Sequence, residues 1–326
     1  MIRMAFYVVV WLSFITCSVG AAELKIISSA AVGGGYSSYS LLLARHIGKH
    51  LPETSSVIVQ HMPGAGGVIA ANYLYNVVPK NGTVIGGIHR AILQANLLGV
   101  GNVAFRADEF IWIGSMASAI EVCLFSKKSG ITTIEDIKKR EVFVGSSGPN
   151  NTQQYPIILN TILNTKLKII TGYQSTYSDI SLAIERGELD GICGVSIDTN
   201  PDSWIHQNST AVVQFFTRRH PDLPTVPLVS DLTRNDNHKK VLDFLFSREE
   251  AAYPYLVPPG VPLRRVDELV LAFGNTMKDR EFLSDAKKQK IQISPATAAE
   301  VTALVSRLYE TPKHVIDSVI EIVKLQ

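Results

Sequence analysis

Charge of either sign is scarce in this 326-residue chain. It has 31 lysines and arginines against 29 aspartates and glutamates, 18% of all residues, for a net charge of +2. So small a surplus, with no Lys/Arg stripe, excludes a nucleic-acid footprint. No G-x-x-x-x-G-K-[ST] phosphate loop occurs. Dinucleotide spacing fails too: counted from Gly64, the third glycine of G-x-G-x-x-G falls on Ile69, and Gly33-Gly34-Gly35 fails likewise. His46 and His50 enclose Ile47-Gly48-Lys49, without the glutamate of H-E-x-x-H, so they read as a solvated polar face rather than metal ligands. There is no G-x-S-x-G elbow. Gly145 to Thr152 could hold a nucleophilic serine, but no histidine or aspartate stands at a local spacing to activate it. Short repeats and low-complexity tracts are also missing.

Cysteine is nearly absent, with three in the chain. Cys17 lies in an N-terminal stretch unlike the rest: one charge in Met1-Ile2-Arg3, a mostly apolar Met4 to Thr16, then small residues in Ser18-Val19-Gly20-Ala21-Ala22. That three-part layout predicts a cleaved signal peptide over residues 1–22 and an exported protein. Its apolar core is shorter than the ~20 residues a spanning helix needs, and no later run is long enough. Cys17 raises a lipid-anchor alternative, although Phe14-Ile15-Thr16 is a poor match to the small-residue pattern of such sites. Cys123 and Cys193 remain, both in apolar, strand-like runs. An exported compartment permits a disulfide, and two separate buried thiols fit equally well.

What the chain does have is glycine, in two turns: Gly33-Gly34-Gly35 and Pro63-Gly64-Ala65-Gly66-Gly67. The first links the apolar run Leu24-Lys25-Ile26-Ile27 to a helix-like stretch from Tyr36 to His50. The second links Ser56 to Gln60 with Val68 to Asn76. A strand feeding a helix through glycines aims backbone N–H groups and the positive end of the helix dipole at one place, which suits a carboxylate. Two such turns in succession predict parallel neighbouring strands whose C-terminal ends share a crevice.

The same rhythm continues. Thr83 to Ile88 reads as a third strand with a helix from Arg90 to Leu98, and Phe110 to Gly114 as a fourth strand. It restarts after a strand at Glu121 to Phe125. Thr132-Thr133-Ile134-Glu135 has the spacing of a capping box for a short helix to Arg140. Val142-Phe143-Val144 ends in Gly145-Ser146-Ser147-Gly148-Pro149-Asn150, and Leu167 to Ile170 ends in Thr171-Gly172-Tyr173. A second glycine/serine-tipped sheet predicts a second lobe. Glu185 to Asp190 reads as a solvated helix end, with Gly187 as its terminator. Pro262 fits the first turn of a helix towards Met277, and Ala298 to Tyr309 and Lys313 to Leu325 are amphipathic helices.

Longer stretches carry a resemblance. Gly33-Gly34-Gly35-Tyr36, Val59-Gln60-His61-Met62-Pro63-Gly64-Ala65-Gly66-Gly67, Ala70-Ala71-Asn72-Tyr73, Pro79-Lys80-Asn81-Gly82-Thr83, Leu223-Pro224-Thr225-Val226-Pro227 and Pro258-Pro259-Gly260-Val261-Pro262, in this order, resemble the solute-binding receptors of tripartite tricarboxylate transporters, the Bug-type proteins. The resemblance implies an α/β chain with a type II periplasmic-binding-protein fold: two α/β lobes joined by crossing hinge strands, with a ligand cleft between them. Lobe 1 would take residues 23–120 and 251–326, and lobe 2 residues 121–250. It also implies a periplasmic, monomeric protein that is not an enzyme and needs neither cofactor nor metal. Such a protein captures a small organic anion, a carboxylate, and delivers it to a membrane permease. A ligand-presenting sensor for a membrane signalling protein would use the same cleft, and a serine hydrolase using Ser146 or Ser147 is the third reading.

On the matching positions the implied ligand contacts are Gly33, Gly34, Gly35, Tyr36 and Ser37 in the first turn, and Pro63, Gly64, Ala65, Gly66 and Gly67 in the second. Ser146, Ser147, Asn150, Thr152, Gly172 and Tyr173 would contribute from the second lobe. Three positions depart from the pattern: Ser37 stands where relatives usually place Asp, and Leu41 and Tyr253 where they place Arg. Each change loses a charge, which alters the ligand if those side chains touch it and is neutral if Leu41 and Tyr253 are peripheral.

Overall fold

The computed structural model describes residues 22–33, 35–52, 54–148, 151–173, 179–197 and 203–324. In chain order β1 (Ala22–Ser28), α1 (Gly35–Ile47), β2 (Thr54–His61), α2 (Val68–Asn76), β3 (Val84–Gly87) and β4 (Ile111–Ser115) come first. Next are β5 (Glu121–Ser126), α3 (Asp136–Lys139), β6 (Val142–Gly145), α4 (Asn151–Leu163), β7 (Leu167–Ile170), α5 (Ser181–Arg186), β8 (Gly191–Ser196), α6 (Trp204–Asn208) and β9 (Ser209–Phe215). The chain then adds α7 (Asp236–Ser247), β10 (Pro254–Val257), α8 (Leu263–Thr276), α9 (Arg280–Lys288), β11 (Ala296–Thr297), α10 (Ala298–Tyr309) and α11 (Lys313–Lys324).

Two sheets result. One has the order β11-β4-β10-β3-β1-β2, the other β7-β6-β8-β5-β9. The chain leaves the first sheet after β4, builds the second, and returns to the first with β10. β1 runs parallel to both β2 and β3, and β6 parallel to β7, as the strand–helix rhythm predicts. Apolar residues on both faces explain why helices cover both sides. In β1, Leu24 and Ile26 pack with Leu42 and Leu43 of α1 and Leu269 and Phe273 of α8, while Ile27 packs with Ala70 and Leu74 of α2. In β5, Cys123 and Phe125 join Tyr155 and Leu159 of α4, while Val122 and Leu124 join Ala183 and Ile184 of α5. Among the described residues no helix is long and apolar enough to cross a membrane.

Two local expectations are corrected. Arg90 to Leu98 is not an α-helix; a 3-10 turn covers Arg90–Gln94. Side chains there compete with helical bonding: Gln94 donates to the Phe244 carbonyl, Asn96 donates to the Phe105 carbonyl at 2.6 Å, and Asn96 accepts the Ala107 amide at 3.0 Å. The acid that caps α3 is Asp136, not Glu135: its carboxylate accepts the Thr132 and Thr133 amides at 3.1 and 3.0 Å, which holds it at about 2.

Cys123 and Cys193 are register partners on β5 and β8, and they form a disulfide. Spacing alone left this open because the pairing needs the two strands to be antiparallel neighbours. The bridge closes a loop of 70 residues. Reducing it is expected to lower unfolding stability by about 2–4 kcal/mol, read from urea midpoints with and without reductant.

Candidate ligand-binding site

The two glycine turns lie side by side because β1 and β2 pair in parallel register, Ser28 opposite His61. The Met62 amide donates to the Ser28 carbonyl at 2.8 Å, and a ring nitrogen of His61 lies 3.1 Å from the Ala30 carbonyl. α1 then starts at Gly35 and α2 at Val68, so the unpaired first-turn N–H groups of both helices rise from the same edge. In the second turn Gly66 has φ +61° and Gly67 +96°. A Cβ on Gly67 would come within 3.1 Å of the His89 Cβ, whereas one on Gly66 would meet nothing within 4 Å. Gly66 therefore faces open space. Beside the first turn, the hydroxyls of Ser28, Ser29 and Ser37 are buried without a hydrogen-bond partner among the described residues. Buried hydroxyls rarely go unsatisfied.

The second-sheet candidates lie in the loops that follow β6 and β7. Since β6 and β7 are parallel neighbours, the turns after them share one edge. Ser146 is fully buried; its Oγ donates to the Gly148 carbonyl at 3.0 Å and lies 3.1 Å from Thr152 Oγ1. The Ser147 amide donates to Thr152 Oγ1 at 3.0 Å. These side chains shape the loop rather than activate a nucleophile. Gly172 is exposed, and Tyr173 packs on the Ile180–Ile184 cluster. Gly34 and Asn150 lie outside the described residues.

A group of charges that motif reading missed ties the third turn of the first sheet to β5 of the second. Arg90, in the third turn of the first sheet, places Nη2 2.6 Å from Glu121 Oε1 and Nε 2.6 Å from Glu249 Oε2. Glu121 opens β5, and Glu249 lies in the 3-10 turn that precedes the return strand β10. Asn151, first residue of α4, donates to both Glu121 oxygens at 2.7 and 2.8 Å. Tyr155 donates to Glu249 Oε1 at 3.2 Å, and Arg248 Nε lies 3.4 Å from the same oxygen. The Tyr36 hydroxyl accepts the Arg90 amide at 3.2 Å and faces Nη1 at 3.4 Å. Through Tyr36 and His89, whose rings are 4.8 Å apart, this network touches both glycine turns. The available signal was a lone acid, Glu121, at the head of an apolar strand, and an arginine directly after Gly86-Gly87-Ile88-His89.

The surroundings set the charges. Burial, then Arg90 and Arg248, pull His89 down to about 3, so its ring is neutral. Burial also opposes the charge on Arg90, but Glu249, with Tyr36 and Glu121, outweighs it and keeps Arg90 a firm cation. Burial, with Glu249 second, pushes the Glu121 carboxyl up to about 7. Between about 4.5 and about 7 the native state holds a proton that the unfolded chain has released, so stability should fall as pH rises through that window and level off above it. Urea midpoints across the window will show this slope, and Glu121→Gln should flatten it.

His46 and His50 do not form a solvated face. His46 is 8% exposed, one ring nitrogen 2.9 Å from Asp285, because α1 packs against α9; His50 lies 3.4 Å from Asp279. His46, Asp279 and Glu281 offer ligand atoms within 4.8 Å of one another, but each already has a partner: His46 lies against Asp285, His50 against Asp279, and Lys49 pairs with Glu281. Of the three departures, Leu41 is exposed on α1, and Ser37 is one of the buried hydroxyls. Tyr253 is not peripheral: its ring stacks on Tyr39 at 3.6 Å and tilts on Tyr36 at 5.0 Å. Two surface cavities of about 420 and 460 Å³ share Thr217, Glu250 and Arg307, and neither wall includes a glycine-turn residue.

Residues 27–212, more than half of the chain, match the NMT1-like family. The chain belongs to that family. No curated protein sequence matches. Among solved structures, a TctC solute-binding protein from Polaromonas, without ligand, is 16% identical, with a TM-score of 0.69 over 91% of this chain and 99% of that one. MatC from Rhodopseudomonas palustris with bound malate is 16% identical, TM-score 0.61, over 93% and 99%. The periplasmic binding protein BugD is 19% identical, TM-score 0.62, over 93% and 96%. These likenesses establish for this NMT1-like chain the two-lobe periplasmic-binding-protein fold expected from its motifs.

Proposed function

We propose that the protein is a periplasmic solute-binding receptor that captures a small organic anion, a carboxylate, between its lobes and delivers it to a membrane permease. The observation that carries this reading is the pair of adjoining glycine turns, each opening a helix, with the buried hydroxyls of Ser28, Ser29 and Ser37 unpartnered among the described residues. Amides, hydroxyls and helix N-termini together give charge-assisted bonds to a carboxylate. Lobe 1 takes residues 23–120 and 251–326 and lobe 2 residues 121–250, so that the ligand is covered by hinge closure. The neighbour with bound malate supports the ligand class. The protein acts as a monomer, exported by a signal peptide over residues 1–22, and catalyses no reaction. The buried Ser146, bonded to Gly148 and Thr152, offers little to hydrolysis.

Calorimetry of the purified protein against organic acids tests the reading. Binding tighter than millimolar, with matching protection against unfolding, is expected. Failure of every carboxylate on both measures would remove it.

A further inference from the structure

The side chains of α9 sort onto three faces. Phe282 and Ala286 turn inward and are buried. Glu281 and Asp285 turn towards α1, where Lys49 pairs with Glu281, and Arg45 and His46 lie against Asp285. Arg280, Leu283, Ser284, Lys287 and Lys288, at i, i+3, i+4, i+7 and i+8, make up the outward face, and all five are exposed. Lys278, just before the helix, is exposed as well. Lys278, Arg280, Lys287 and Lys288 have no ion-pair partner among the described residues. In sequence Asp279, Glu281 and Asp285 interleave with these cations and hide the stripe. The fold draws Glu281 and Asp285 to one side and leaves the cations on the other. Residues 278–290 with Arg45 and Lys49 hold seven lysines and arginines against three acids, a net +4 on a chain whose total is +2.

We propose that this outward face of α9, with the adjoining end of α1, docks the protein onto a bilayer surface that carries anionic headgroups. Charge complementarity sets the sign of the occupant, and shape sets its form. The cations spread over about 12 Å of helix instead of converging, and neither surface cavity includes an α9 residue. A flat cationic face suits a plane of phosphates better than a single acidic peptide. Leu283 on this face, and Leu41 one turn before Arg45 on α1, are exposed and give it apolar points at headgroup depth. Each unpaired cation adds to the attraction within a screening length of the bilayer. Held there, a receptor of the kind proposed above meets its permease by diffusion along a surface rather than through a volume.

Co-sedimentation with unilamellar vesicles tests this: phosphatidylglycerol mixed equally with phosphatidylcholine, against phosphatidylcholine alone, with no solute added. At about 0.05 M salt the anionic vesicles should bind the protein tighter by about tenfold or more. At about 0.5 M, where screening shortens to about 4 Å, the difference should be gone. Lys287→Glu with Lys288→Glu should remove most of the anionic binding. Lys239→Glu with Lys240→Glu, exposed on α7, makes the same change in net charge and should weaken it far less. Equal binding to both vesicles, no binding to either, or equal losses in the two double variants overturns the inference. So does retention on polyglutamate without vesicle binding, which would point to an acidic protein partner instead. Should the α9 variant fail to fold, the vesicle and salt contrasts in the unaltered protein decide. Solute is absent throughout, so each of these failures leaves the receptor reading standing.

Discussion

Gly66→Val is expected to lower affinity for any carboxylate ligand by about 100-fold or more, while His50→Ala leaves it unchanged. Two effects act together at position 66. The backbone there is left-handed, φ +61°, a region costing an L-residue roughly 1–2 kcal/mol and a β-branched side chain more. A Cβ would also project into the open space that Gly66 faces, since nothing lies within 4 Å of it. In the free protein that space makes the substitution tolerable; with ligand present the same atoms compete with the carboxylate. His50 serves as control because it follows the far end of α1, about 20 Å along that helix from the first turn at 1.5 Å per residue. Its contact with Asp279 is partly exposed and contributes about 0–1 kcal/mol. Calorimetry on both variants, with thermal melts to establish folding, checks the contrast. Equal affinities would place the ligand away from the second turn.

The first turn was legible for the same reason as the second. Glycine between an apolar run and a polar-apolar helix has few structural meanings, and β1 and β2 carry that pattern within one pairing unit. The fold followed from repetition of this local signal, because parallel strands need a crossover helix and the spacing supplies one each time. Non-local facts were not legible. Cys123 and Cys193 are 70 residues apart, and only antiparallel pairing of β5 with β8 brings them together. His46 looked solvated because α9, which buries it, lies some 240 residues downstream. The Arg90 network draws on residues 36, 90, 121, 151, 155 and 249, contributed by both sheets and by the segment leading back to the first. No periodicity marks such a set. Its members share only that each is polar in an apolar neighbourhood, which a window of consecutive residues does not weigh.

That network gives the second large expectation. Arg90→Met should destabilise the fold by about 3–5 kcal/mol, because it leaves Glu121 and Glu249 buried against each other with their main counter-ion gone. The Arg90 Nε contact to Glu249 is a close ion pair without hydrogen-bond alignment, so its value lies in charge more than direction. Arg90→Lys keeps the charge but not the two-pronged reach to both acids, and should fall between the two. The decisive comparison is the triple variant Arg90→Met, Glu121→Gln, Glu249→Gln. Removing all three charges removes the uncompensated burial, so most of the stability lost in Arg90→Met should return even though every ion pair of Arg90 is absent. Urea unfolding of the three variants measures this. A cost below about 1 kcal/mol for Arg90→Met would mean that water reaches the acids and the interior between the sheets is wet. A triple variant as unstable as Arg90→Met would mean that the arginine holds the crossover segments by shape rather than by charge.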